Sequence, residues 1–138
     1  KNRFMNKSKI AILMAGGINL VTALIHTFLG QSDLVKPLTG SELSQQIITE
    51  LTSVWHMATI ILFVTSFTLL RIGRAMVNKR SYPILELIAL LYLLFSLSFI
   101  VMSILRGVFA PQWILLLPIA ILSYTGVKLN QKNSIYEN

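Results

Sequence analysis

The sequence predicts an all-α protein, a four-helix transmembrane bundle with both termini in the cytoplasm. Three features of its 138 residues lead there: 54% are hydrophobic and only 12% charged, four long apolar runs are separated by short polar connections, and Lys and Arg cluster at alternate connections. A soluble domain carries about 25% charged residues. The low charged share here leaves no charged shell, so we expect most of the outer surface to face lipid.

The chain has the length of a single domain. The predicted helices cover about residues 10–29, 41–70, 83–106 and 113–129. Each is long enough to cross roughly 30 Å of hydrocarbon at about 1.5 Å per residue. Strands are excluded because the runs show no strict alternation and because backbone in lipid must be hydrogen-bonded internally. Although the basic start of the first run is typical of a signal peptide, the run lacks a small-residue cleavage site, so we expect it to be retained.

The helix ends carry recognisable signals. Gly30 is placed to end the first helix in the left-handed conformation. Thr39, with Glu42 three residues later, matches a capping box, so the second helix is expected to begin near residue 40 or 41. Pro83 suits the first turn of the third helix, and Gly107 is expected to end it.

The distribution of Lys and Arg predicts the orientation. The N-terminal segment has four of these residues, the second connection four and the C-terminal end two, whereas the first and third connections have one each. Basic residues are enriched on the cytoplasmic side of membrane proteins. The sequence therefore predicts that both termini are cytoplasmic.

Several classes of function find no support in the sequence. The net charge is +7, but the basic residues are not interleaved with aromatic residues as in a nucleic-acid surface, so no nucleic-acid partner is predicted. Cysteine is absent, which excludes disulfides and thiolate metal sites. No phosphate-binding loop, metalloprotease helix or nucleophile elbow occurs. We predict no catalytic residue and no metal site, and nothing supports an enzyme.

A row of small and polar residues on the first helix predicts a face for close helix packing. Small residues at such spacing let a second backbone approach, and a polar member can hydrogen-bond across helices. The row consists of Ala11, Ala15, Gly16, Asn19 and Ala23.

The two histidines, His26 and His56, are predicted at similar depths on neighbouring helices. Three interpretations stay open: a hydrogen-bonded structural pair, two axial ligands of a b-type haem, or a metal or proton site. For the haem, Arg106 is placed to meet the propionates. A metal site lacks further ligands at that depth. Glu86 is expected to form an interfacial ion pair with Lys128 or Arg71.

The first half of the chain resembles small four-helix bacterial membrane proteins of unknown function. The resemblance rests on short motifs: Ala15-Gly16-Gly17, His26, Gly30, Pro37-Leu38 and Trp55-His56. It implies a four-helix bundle in a bacterial inner membrane and transfers no chemistry.

The leading hypothesis is an accessory or assembly subunit that packs against another membrane protein or a second copy of itself. Its motivation is the small-residue row together with the lack of an active site or a soluble domain. The alternatives are a haem b electron-transfer protein and, less favoured by the enclosed volume, a small carrier or quinone-site protein.

Overall fold

The computed structural model describes residues 2–75 and 77–135 of the chain, which are almost entirely helical and include no strand. Four of the helices are long and apolar enough to cross a membrane, which confirms the predicted all-α class with four candidate spans. The helices are α1 (Asn2–Gly30), the short α2 (Lys36–Thr39), α3 (Gln45–Ala75), α4 (Tyr82–Arg106) and α5 (Trp113–Ile135).

The four long helices pack in an order that differs from their order in the chain. α1 lies between α3 and α5, and α5 lies between α1 and α4. In the described part of the chain, α3 packs extensively against α1 alone and α4 against α5 alone, while the backbones of α3 and α4 hardly touch. The side between α3 and α4, here called the open side, therefore lacks close backbone packing, although buried side chains such as Tyr92 fill its interior.

Several polar side chains are buried between the helices, and many large apolar side chains are exposed. Fully buried positions include Ser8, Asn19 and Ser66, whereas large apolar side chains such as Phe67 and Leu87 are more than 60% exposed. In lipid, apolar side chains are well solvated on the outside, while polar groups need partners between helices. This distribution is the one expected for a bundle surrounded by hydrocarbon.

The first helix continues past Gly30, so the prediction that this glycine ends it is wrong. Gly30 is right-handed, with φ −65°, and the chain runs on through a π-helical segment, Gln31–Val35, into α2. A Cβ atom at this position would collide with the indole of Trp55. Gly30 therefore lies in a close contact between α1 and the Trp55 side chain of α3 and not in a left-handed turn.

α3 begins at Gln45, later than the start expected near residue 41. The predicted capping box does not form, because the Thr39 hydroxyl donates to the Lys36 carbonyl oxygen at 2.9 Å within α2. Ser44 takes the capping role, since its hydroxyl accepts from the Ile47 N–H at 3.4 Å.

The ends of α4 follow the predictions. Pro83 lies in the first turn, where its missing N–H costs no hydrogen bond. Gly107 ends the helix with φ 62°, and its N–H donates to the Ile104 carbonyl oxygen at 3.3 Å. α5 stays helical through Pro118 and extends to Ile135.

Candidate functional site

Three polar side chains meet between α1, α3 and α4, and we call Asn19, Thr65 and Tyr92 the polar triad. The Tyr92 hydroxyl donates to Asn19 Oδ1 at 2.8 Å, and Asn19 Nδ2 donates to Thr65 Oγ1 at 2.9 Å. Thr65 Oγ1 lies 2.7 Å from the Tyr92 hydroxyl oxygen. Asn19 and Tyr92 are both fully buried.

The polar triad links the two helices whose backbones hardly touch. Tyr92 reaches from α4 to α1 and α3, and so bridges the open side of the bundle. The Thr65 hydroxyl also lies 2.6 Å from the Ile61 carbonyl oxygen, which gives its proton a second acceptor. Because the three side chains satisfy one another, the arrangement favours a structural role over ligand binding.

All five residues of the predicted packing row are buried. The row faces the chain's own helices, as the contacts at Gly16 illustrate. The Ser66 hydroxyl of α3 donates to the Gly16 carbonyl oxygen at 3.0 Å. A Cβ at Gly16 would lie 2.9 Å from the Leu70 side chain and 3.0 Å from its backbone nitrogen. The buried residues are Ala11, Ala15, Gly16, Asn19 and Ala23.

Two further glycines bring helices together in the same way. A Cβ at Gly73 of α3 would lie 2.8 Å from the side chain of Leu13 on α1. A Cβ at Gly126 of α5 would collide with the side chain of Ile12. The Ser8 hydroxyl donates to the Gly126 carbonyl oxygen at 2.6 Å. α1 is therefore in close backbone contact with α3 and with α5, and the packing row has partners inside the molecule.

The structure brings His26 together with Trp55. The two rings are stacked, with centroids 3.7 Å apart and planes inclined by 12°. His26 Nε2 lies 3.4 Å from the Trp55 carbonyl oxygen, and the imidazole is half-buried. His56, the next residue, is on an exposed part of α3. The two predicted haem ligands thus differ in their surroundings.

A haem between His26 and His56 would have to displace the indole from the first imidazole and turn its Nε2 away from the Trp55 carbonyl. Arg106, the third residue of that hypothesis, is exposed at the last position of α4. Among the residues that the structure describes, no group of three or more His, Asp or Glu could hold a metal ion. The haem hypothesis stays a prediction, which a visible spectrum of haem-supplied protein tests through its Soret band.

Glu86 does not form the expected ion pair. It is exposed on α4 and, in the described ranges, has neither an ion-pair nor a hydrogen-bond partner. Lys128 instead places Nζ 3.4 Å from Gln131 Oε1 and 5.1 Å from the ring centroid of Tyr124. Glu86 and Lys128 are therefore both available to other groups.

Sequence reasoning missed two of the three triad residues, Thr65 and Tyr92. A signal existed for Tyr92, since it is a polar aromatic residue in the middle of a long apolar run. Buried tyrosine hydroxyls usually find a hydrogen-bond partner. The identity of that partner, 73 residues away on α1, could not be deduced from the run itself.

Comparison with known proteins assigns this chain to no family. No family model matches the chain, and neither a curated protein nor a solved structure matches it. The resemblance to small four-helix bacterial membrane proteins therefore stays a prediction.

Proposed function

We propose that this protein is an accessory or assembly subunit of a membrane complex, and that a helix of its partner packs along the open side between α3 and α4. The observation that carries the proposal is that α3 and α4 each have one extensive helix neighbour, whereas α1 and α5 have two. One added helix on that side would give both their second neighbour.

The proposal places the four long helices across a bacterial plasma membrane, with both termini in the cytoplasm. The ten basic residues of the N-terminal segment, the second connection and the C-terminal end support this orientation against the two in the other connections.

The surface offered to the partner follows from helical periodicity. Thr65 faces Tyr92 of α4, so residues at three- and four-residue steps beside Thr65 lie on the same flank of α3. This flank, the α3 stripe, consists of Val54, Met57, Ile61, Val64 and Thr68. Its spacing of three and four residues is the seam that two packed helices share. Val54, Met57 and Val64 are about 60% exposed.

The packing row on α1 no longer supplies the motivation for this function, because its contacts are made within the chain. Association of helices in lipid depends on complementary packing and polar contacts and not on a hydrophobic driving force. The proposed partner therefore contacts not α1 but the side of the bundle between α3 and α4, where no further helix of this chain packs.

Cysteine-directed photocrosslinking in native membranes tests the proposal, and the absence of native cysteine makes each label unambiguous. Ile61→Cys puts the label on the α3 stripe. The matched control is Val21→Cys on α1, which is 53% exposed and lies about 200° around that helix from Asn19, whose side chain faces α4. We expect the first variant to give one discrete protein adduct and the second to give mainly lipid adducts.

The mass of the adduct distinguishes a second copy of this chain from a different membrane protein. Equal adducts from both positions, or no protein adduct from Ile61→Cys, would contradict the proposed packing side.

A further inference from the structure

α4 and α5 enclose a groove on the flank of α4 opposite to the open side. Its volume is about 390 Å³. The groove exists because two buried alanines, Ala89 on α4 and Ala120 on α5, leave space where larger side chains would fill the contact. Its walls include Ala89, Leu93, Ala120 and Ile121, with Glu86 and Tyr124 towards one end.

The charged end of the groove lies where α4 begins and α5 approaches its end. Glu86 is four residues into α4, about 6 Å along the helix axis. It is the single acidic residue in the sequence from 82 to 135. Lys128 reaches the same end, because its ammonium lies over the Tyr124 ring. The Glu86 carboxylate thus lines the same end of the apolar groove as the Tyr124 ring that lies under the Lys128 ammonium.

Acidic residues within membrane spans are rare and are usually paired with another group. Glu86 has no partner among the described residues, although a cation of the same chain lies at the same end of the groove. The groove is therefore suited to a ligand with an apolar chain and a head group that carries one positive and one negative charge.

We propose that this groove binds one phospholipid with a primary ammonium head group, of the phosphatidylethanolamine class. One acyl chain lies along Ala89 and Ala120, the phosphate meets Lys128, and the ammonium donates to Glu86. Phosphatidylglycerol also offers a phosphate to Lys128 but places an uncharged glycerol hydroxyl, and not an ammonium, against the Glu86 carboxylate. A choline head carries the positive charge without an N–H donor.

Native mass spectrometry of the full chain with three lipids of identical acyl chains tests this. The probes are phosphatidylethanolamine, phosphatidylcholine and phosphatidylglycerol. We expect the wild type to retain the first up to about fivefold more than the other two, the upper limit for exposed charge pairs. Equal retention of all three, or preference for the glycerol lipid, would overturn the proposal.

Glu86→Gln removes the acceptor charge and should abolish the preference for the primary ammonium. The control is Glu50→Gln, which removes an exposed carboxylate near the start of α3, where Gln46 is its partner, and should leave the preference unchanged. A preference that survives in Glu86→Gln would show that the head group is recognised elsewhere.

Ala120→Phe tests the slot independently of charge and serves if the Glu86 variant does not fold. The phenyl ring fills the space beside Ala89, so retention of phosphatidylethanolamine should fall to the level of the choline lipid. Undiminished retention in Ala120→Phe would place the acyl chain outside this groove. A protein band crosslinked from the groove in place of lipid, with Leu90→Cys as the labelled site, would show that a partner helix occupies it.

Discussion

The two ends of the bundle are held together in different ways. At the end where α4 begins and α5 approaches its last turns, here called the tied end, hydrogen bonds join separate helices. Ser8 of α1 bonds to Gly126 of α5, and Asn130 of α5 donates to the Tyr82 hydroxyl at 3.0 Å and to the Val77 carbonyl oxygen at 2.9 Å. These bonds connect α1, α4 and α5.

At the opposite end, α1 with its continuation and α3 form a long hairpin, here called the hairpin end. The helical stretch of residues 7–39 has 33 residues and α3 has 31, against 23 in α5. At about 1.5 Å per residue, these lengths are roughly 50, 46 and 35 Å. The Ser8–Gly126 hydrogen bond fixes α1 and α5 relative to each other at the tied end. The extra length of α1 with its continuation, and of α3, therefore extends beyond α5 at the hairpin end.

The two ends of the bundle therefore differ in rigidity: side chains are held firmly at the tied end and have more room to move at the hairpin end. The tied end has interhelix hydrogen bonds and buried glycine contacts, and its side chains have little room to move. The hairpin end has the stacked pair of His26 and Trp55, and large apolar side chains such as Phe28 and Leu29 are 60% or more exposed. Substitutions of the same kind should therefore have unequal effects at the two ends.

The largest effect is expected where two helix backbones are in contact. Gly16→Ala places a methyl group 3.0 Å from the Leu70 backbone nitrogen, so the helices themselves must separate. We expect a loss of about 1–3 kcal/mol in the free energy of unfolding, the range for overpacking. SDS titration of the purified protein in mild detergent measures it.

Gly17→Ala is the control, because a Cβ there meets nothing within 4 Å. Replacing a helical glycine by alanine at an open position gains up to about 1 kcal/mol in helix propensity. The two neighbouring substitutions should thus have opposite signs. A loss of equal size in both would show that glycine matters here for a reason other than the contact with α3.

A smaller effect is expected at the polar triad. Tyr92→Phe keeps the ring but removes the hydroxyl, which leaves Asn19 Oδ1 buried without its donor. We expect a loss of about 1–2 kcal/mol in the free energy of unfolding, because a buried polar group loses its partner. The same SDS titration measures it.

Tyr124→Phe removes a hydroxyl from a side chain that is 51% exposed and should change the unfolding free energy by no more than about 0.5 kcal/mol. If the two variants lose the same stability, the bridge across the open side of the bundle contributes nothing beyond a generic tyrosine hydroxyl.

Much of the fold could be predicted because long apolar runs form long helices, and such runs can be recognised along the sequence alone. Length and hydropathy of a run decide whether it forms a long helix, and both are visible in the sequence. Gly107 and Pro83 were also predictable, since their roles depend on local backbone conformation. The packing role of Gly30 was not predictable, because its close neighbour, Trp55, lies on another helix. The sequence around Gly30 was equally compatible with a helix end.

The candidate site was predicted less well for a related reason. The depths of His26 and His56 follow from their distance to the ends of the apolar runs. The rotation of α3 about its axis cannot be deduced from these runs. This rotation brings Trp55, and not His56, onto the His26 ring. Rotation is set by packing, here by glycine contacts such as Gly73 against Leu13, and these involve residues far apart in the chain.

The smallest effect is expected for a clash at the hairpin end. In Gly30→Ala the new methyl group meets the far end of the Trp55 side chain, which is only partly buried and can swing aside. Gain in helix propensity offsets part of the cost. We expect the free energy of unfolding to change by less than about 1 kcal/mol, although this methyl group overlaps its neighbour more than the one in Gly16→Ala does.

The local response should nevertheless be clear, because the displaced indole can no longer stack on His26. Trp55 fluorescence in a Trp113→Phe background reports it, with Gly40→Ala as the control, since a Cβ at Gly40 makes ordinary contacts of 3.7 Å or more. A changed emission with nearly unchanged stability is the expected result. If Gly30→Ala destabilises the protein as much as Gly16→Ala, the hairpin end is as firmly held as the tied end, since only a rigid neighbour turns steric overlap into a loss of stability.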